Sequence, residues 1–176
     1  PGTGSQPRNS WQVIANSMPA MVFSAVFLLT KNPLFIYLFA ATVAAVTADT
    51  WASEIGPVFN RKCLSLTDFR SGKAGISGGI SVAGSLAALI GSFSIALISF
   101  FLFPNEMSTR IMVLITLSGF LASFIDSLLG AHLEPALLKK NYFSRKNMFA
   151  NENITPNDLV NIMGSLSASL FFLILW

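Results

Sequence analysis

Five apolar runs, each of a length suited to crossing a bilayer, constrain this chain more than any other feature it carries. They cover roughly residues 12–30, 34–48, 76–103, 111–131 and 159–176, against the ~20 residues that span a hydrocarbon core as helix. Backbone N–H and C=O groups in lipid must find partners within the segment, so runs of this kind fold as helices. A membrane barrel would instead show alternating segments of ~10 residues. The expected fold class is therefore all-α: a polytopic membrane bundle of five transmembrane helices, forming a single integral-membrane domain over 1–176. Composition agrees, with 53% hydrophobic and 11% charged residues, where a soluble domain carries about a quarter charged. The second run is short unless it continues into Thr50–Gly56. The third is long enough to tilt, or to begin with a non-helical turn at Gly75–Gly79. Breaks are expected at Lys31-Asn32-Pro33, Gly56-Pro57, Pro104-Asn105 and Thr155-Pro156-Asn157.

The basic residues set an orientation. Arg8, Arg61, Lys62, Arg70, Lys73, Lys139, Lys140, Arg145 and Lys146 fall on one side of the five spans, and only Lys31 and Arg110 on the other. The positive-inside rule then puts the N-terminus and both long loops in the cytoplasm. Asp49, Glu54, Asp68, Asp126, Glu134, Glu152 and Asp158 collect at the same side, so a site built there has an active face toward cytoplasmic nucleotides and divalent cations. The chain opens PGTGSQPRNSW without a Met or a signal-peptide pattern, and is read as a piece with sequence upstream of it.

Two acidic residues then stand out, because they sit where hydrocarbon should be. Asp49 ends LFIYLFAATVAAVTAD and Asp126 lies within RIMVLITLSGFLASFIDSLLGA. A carboxylate at membrane depth costs at least ~2.5–3.5 kcal/mol unless a cation, a hydrogen-bond partner or a wet cavity receives it. On a helix Asp49 and Ser53 share a face while Glu54 points away, so Asp49 and Glu54 reach one cation only if the helix unwinds before Gly56-Pro57. Hard oxygen ligands of this kind suit Mg²⁺ or Mn²⁺; the plainer alternative leaves both acids solvated beside an interfacial Trp51. In the fourth run Gly119, Ser123, Asp126 and Gly130 form one stripe, where small residues admit a neighbouring helix and Asp126 projects into the contact.

Further polar features cluster around these. The stretch Ser71-Gly72-Lys73-Ala74-Gly75-Ile76-Ser77-Gly78-Gly79 is not a Walker A motif. It places glycines and Lys73 at the start of a long helix, an arrangement suited either to phosphate or to close helix packing. Thr155, Pro156 and Asp158 read as N-cap, first-turn proline and capping-box partner. That leaves Asn157 and Asn161, one turn apart, unexplained by capping; Gln12 and Asn16 are likewise amides four apart in an apolar run. His132 adjoins a helix end and reads as a polar cap. Cys63, the single cysteine, can join neither a disulfide nor a cysteine cluster and is given no role. The basic run LLKKNYFSRKN suits anionic headgroups of the lipid bilayer, and no nucleic-acid partner is expected.

With QVIAN, ADTWASEIG, SGKAGISGGISVAGS, GFLASFIDSLLGA and NDLVNIMGS in hand, the chain resembles the integral-membrane family that includes animal transmembrane protein 19 and plant phytyl-phosphate kinase. The resemblance runs over nearly the whole chain, with the motifs in the family's order. It implies a Mg²⁺-dependent kinase that passes a phosphoryl group from a nucleoside triphosphate such as CTP to an isoprenoid phosphate. Carried over position by position, Asp49, Glu54 and Asp126 become metal or catalytic carboxylates. Lys73, Gly75, Gly78 and Gly79 become phosphate-holding residues, and Asn157, Asn161 and Asn16 line the pocket. Family members usually carry further hydrophobic helices before the QVIAN-like motif, which implies helices upstream of this chain. The alternatives are an ion-coupled transporter using the same carboxylates, or a membrane scaffold whose acids only pack helices; association into a homo-oligomer is left open.

Overall fold

The computed structural model describes residues 10–59, 62–66, 71–73, 79–139 and 155–176. Five helices run antiparallel to their sequence neighbours: α1 (Ser10–Thr30), α2 (Leu34–Phe59), α3 (Val82–Leu102), α4 (Thr109–Lys139) and α5 (Pro156–Leu175). All five are long and apolar enough to cross a membrane. Their outward faces carry exposed Met21, Leu29, Leu86, Phe101, Leu170 and Ile174, as expected where lipid rather than water is the solvent.

The bundle is built around α2, which packs against each of the other four helices. Its face is a run of alanines, with Ala40, Ala41, Ala44 and Ala48 fully buried. Between lipid-solvated helices association rests on close van der Waals packing, and small side chains let backbones approach. Glycines mark the tightest crossings. A methyl group on Gly84 would lie 3.2 Å from the Ala52 carbonyl oxygen, and one on Gly91 would meet Thr47 and Trp51. A methyl group on Gly119 of α4 would fall 2.7 Å from Ala44 Cβ and 2.5 Å from Ser92 Oγ, where the Ser92 hydroxyl donates to the Thr116 carbonyl at 2.7 Å.

One end of the bundle is closed by aromatics. Tyr37 stacks against Phe172 and Trp176 and donates its hydroxyl to the Glu106 carbonyl at 2.6 Å, tying the start of α2 to the α3–α4 connection. At the opposite end, between α2 and α3, lies a three-stranded antiparallel sheet in the order β2-β1-β3: β1 (Lys62–Ser65), β2 (Ser71–Lys73) and β3 (Gly79–Ile80). The sheet lies within one connection, and the fold class is all-α as expected, a membrane bundle of five helices among the described residues. Strands of two to four residues satisfy backbone groups of the connection without a period that a sequence could display.

One expectation about the helix ends is revised. Gly56-Pro57 does not end the second helix, which continues to Phe59. Gly56 is buried against Gly84 and Ser81, a contact glycine rather than a turn. Pro57 takes only the Ser53 carbonyl's partner, so close to the helix end that the helix survives it. The third run begins without helix, one of the two readings its length allowed. Gly79 is in β3, and α3 starts at Val82 with Ser81 as N-cap, its hydroxyl accepting from Gly84 N–H at 3.0 Å. The expected cap on α5 is present in full: Thr155 accepts from Asp158 N–H while the Asp158 carboxylate accepts from Thr155 N–H at 2.6 Å.

Candidate functional site: an acidic pair in a polar cavity

At the sheet end of the bundle the helices part and leave a cavity of about 320 Å³. Its walls come from every element except α1 and β2. Helix α2 gives Asp49, Ala52, Ser53 and Pro57; α3 gives Ser81, Gly84, Ser85 and Ala88; α4 gives Ser123, Phe124, Asp126, Ser127 and Gly130; α5 gives Asn157, Val160 and Asn161; and the sheet adds Cys63, Gly79 and Ile80. Each set follows helical spacing, so the sequence stripes become walls. From Pro57 near the end of α2 to Asp49 is eight residues, or ~12 Å at 1.5 Å per residue, which sets the two Asp residues well inside the span.

Asp49 and Asp126 meet there, their carboxyl groups in hydrogen-bonding contact across the α2–α4 interface. Two full negative charges ~4 Å apart repel by about 4 kcal/mol at an effective dielectric of 20. The pair therefore needs a counter-charge, either a shared proton or a cation. Beneath it lies a void of about 10 Å³ bounded by Asn16, Asp49, Asp126, Asn161, Gly164 and Ser165, with Ala45, Val46 and Ala122; that is the room of one water molecule. Asn16 of α1 thus borders the same void as the acidic pair.

The rest of the wall favours a cation. Among the described lining residues there is no Lys, Arg or His. The hydroxyls of Ser53 and Ser123 in the wall, and of Ser165 at the void, donate to carbonyls of their own helices at 3.0, 2.8 and 3.0 Å, which leaves their lone pairs rather than protons for a ligand or water. Carboxylate, amide and hydroxyl oxygens form the donor set Mg²⁺ or Mn²⁺ prefers. Among the described residues no group of three or more His, Cys, Asp or Glu converges. The protein would supply two carboxylates and leave the remaining positions to phosphate oxygens and water, the usual pattern for Mg²⁺. The residues fit a divalent cation on those terms.

Of the residues singled out in the sequence, the structure brings Asp49, Asp126, Asn157, Asn161 and Gly79 to the cavity, and Asn16 to the void below it. It does not bring Glu54, which is exposed on the far face of an unbroken α2. The backbone of Lys73 pairs with Lys62 across β1 and β2, and Gly75 and Gly78 lie outside the described residues. Three wall serines, Ser81, Ser85 and Ser127, and Ser165 at the void lie within the quoted motifs but carry no site role in the sequence reading. Cys63, given no role, is buried in the cavity wall.

Comparison with known proteins places the chain. It is 29% identical over 165 residues to the uncharacterized membrane protein MJ0933 of Methanocaldococcus jannaschii, covering 94% of this chain and 63% of that one. It is 34% identical over 101 residues to Protein PGR of Arabidopsis thaliana, covering 52% of this chain and 35% of PGR. It is 24% identical over 131 residues to the uncharacterized membrane protein sll0875 of Synechocystis, covering 73% and 49%. The chain thus spans less than two thirds of each of these relatives. No solved structure matches it. The family model described as integral membrane protein DUF92 matches residues 2–169, and with its five apolar helices the chain belongs to that multi-pass membrane family.

Proposed function

We propose that this chain forms the metal- and phosphate-binding part of a membrane-embedded phosphotransferase that phosphorylates a prenyl monophosphate from a nucleoside triphosphate, CTP in the first instance. The observation that carries this reading is the Asp49–Asp126 pair, held face to face from two helices inside a polar cavity at one end of the bundle. The excess of Lys and Arg in the loops at that end supports placing it at the cytoplasmic face.

Asp49 and Asp126 would hold Mg²⁺, with Asn161 and the serine oxygens as the polar groups nearest to it in the cavity wall. Mg²⁺ would supply the charge neutralisation that phosphoryl transfer between two anions requires. The cavity, acidic and without a described cation of its own, receives phosphate only together with the metal. Its ~320 Å³ lies at the low end for ligand pockets. It therefore encloses the reacting phosphates, and the nucleoside and the prenyl tail extend beyond it. The resemblance to phytyl-phosphate kinase supports the substrate class. Thermal unfolding of the purified protein tests the reading. CTP with Mg²⁺ should raise the melting temperature, since a ligand of the folded state stabilises it, whereas neither CTP with EDTA nor phytyl phosphate with EDTA should do so. A melting point that CTP and Mg²⁺ leave untouched, but that Na⁺ or K⁺ raises, would favour an ion-coupled transporter instead.

A further inference from the structure

Gly164 in α5 lies opposite Asp126, and the space where its side chain would stand is taken by the carboxyl arm of that residue. A Cβ built on Gly164 would have Asp126 Oδ1, Cβ and Cγ as its three nearest atoms, the last two at 2.8 and 2.9 Å. Real Cβ atoms essentially never approach so closely, and all three of the nearest atoms belong to Asp126. Gly164 also borders the one-water void that Asn16, Asn161 and Ser165 share with the acidic pair.

We propose that Gly164 is the positioning residue for Asp126. Through its bare backbone, α5 forms the seat against which the Asp126 side chain rests, and the seat turns the carboxyl toward Asp49. An alanine there has to displace the carboxyl or push α5 away from α4. The first movement shifts the Asp126 carboxyl itself and the second takes away the surface it rests on, so either disturbs its alignment with Asp49. This inference rests on the reading of Asp126 as a cation ligand for its functional consequence, though not for the contact itself.

The test is a double-mutant cycle on thermal unfolding, joined to a Mn²⁺ titration. Wild type, Gly164→Ala, Asp126→Gly and the double variant are compared, with Gly119→Ala as a control overpacked away from both cavities. Gly164→Ala should lower the melting temperature by several degrees in the wild-type background and by almost nothing beside Asp126→Gly. Gly164→Ala should also raise the Mn²⁺ concentration for half-maximal thermal shift by about tenfold or more, as loss of a ligand-orienting partner does; Gly119→Ala should melt earlier yet keep the wild-type Mn²⁺ response. Equal effects of Gly164→Ala in both backgrounds, or failure of both alanine variants to fold, overturn the seat. So does a wild-type Mn²⁺ response in Gly164→Ala. If wild type itself ignores Mn²⁺, the proposed function fails, and the cycle alone decides whether Gly164 seats Asp126.

Discussion

Replacing Asp126 by Asn should leave the metal-free protein as stable as wild type or more so, although the residue is half-buried at the centre of the bundle. Asparagine has the same shape, so packing against Gly164 is kept, and its amide can donate a hydrogen bond to the Asp49 carboxylate. What disappears is the confrontation of two carboxyls, bounded above by the ~4 kcal/mol repulsion of charges ~4 Å apart at a dielectric of 20. A proton shared by the pair already relieves part of this, so the gain lies between zero and that bound. At ~2–4 °C per kcal/mol for a chain of this size, the variant should melt between unchanged and about 16 °C higher. The assay is thermal unfolding in detergent with EDTA, wild type and variant side by side. A melting temperature more than about 3 °C lower would refute the reasoning. It would mean that the Asp126 carboxylate makes a net stabilising contact, and that its role is structural.

Other expectations follow from the fold. Thr155→Ala removes the acceptor for Asp158 N–H at the start of α5 and should destabilise the protein by about 0.5–2 kcal/mol, read as a lower denaturation midpoint, with Thr155→Ser close to wild type. Phe172→Ala empties a fully buried site beside Tyr37 and Trp176. Because the side chain is moved from lipid and not from water, only the cavity term applies. At about 24 cal/mol per Å³ over roughly 100 Å³ it gives about 2 kcal/mol, and a loss above 4 would show that a water-like transfer term applies after all. Glu54→Gln, on the exposed face of α2, should leave Mg²⁺-dependent stabilisation by CTP unchanged; its loss would bring Glu54 back into the site.

What could be read in the chain divides by the range of the interaction. The five spans were legible because membrane thickness fixes a length and hydropathy reports it. The α5 cap was legible because Thr155, Pro156 and Asp158 interact within one turn. The acidic pair was half legible: a carboxylate in an apolar run announces itself, but that Asp49 and Asp126 touch depends on how α2 crosses α4. Gly56 shows the opposite failure. Beside a proline it reads as a helix breaker, whereas its reason is the Gly84 backbone on another helix. Gly164 carries no local signal at all, since its meaning is the side chain facing it. Strands as short as β3, two residues long, fall below any periodicity. The serines of the wall are ordinary residues in a membrane helix until the cavity shows what they face.

The measurement that bears most directly on the central proposal is phosphoryl transfer by the full-length protein in liposomes, given Mg²⁺, γ-labelled CTP and phytyl or geranylgeranyl monophosphate. Asp126→Asn and an EDTA-treated sample run in parallel. The expected result is label in the prenyl diphosphate from wild type, and none from either control. Absence of transfer by the full-length wild type, or undiminished transfer by Asp126→Asn, would contradict it.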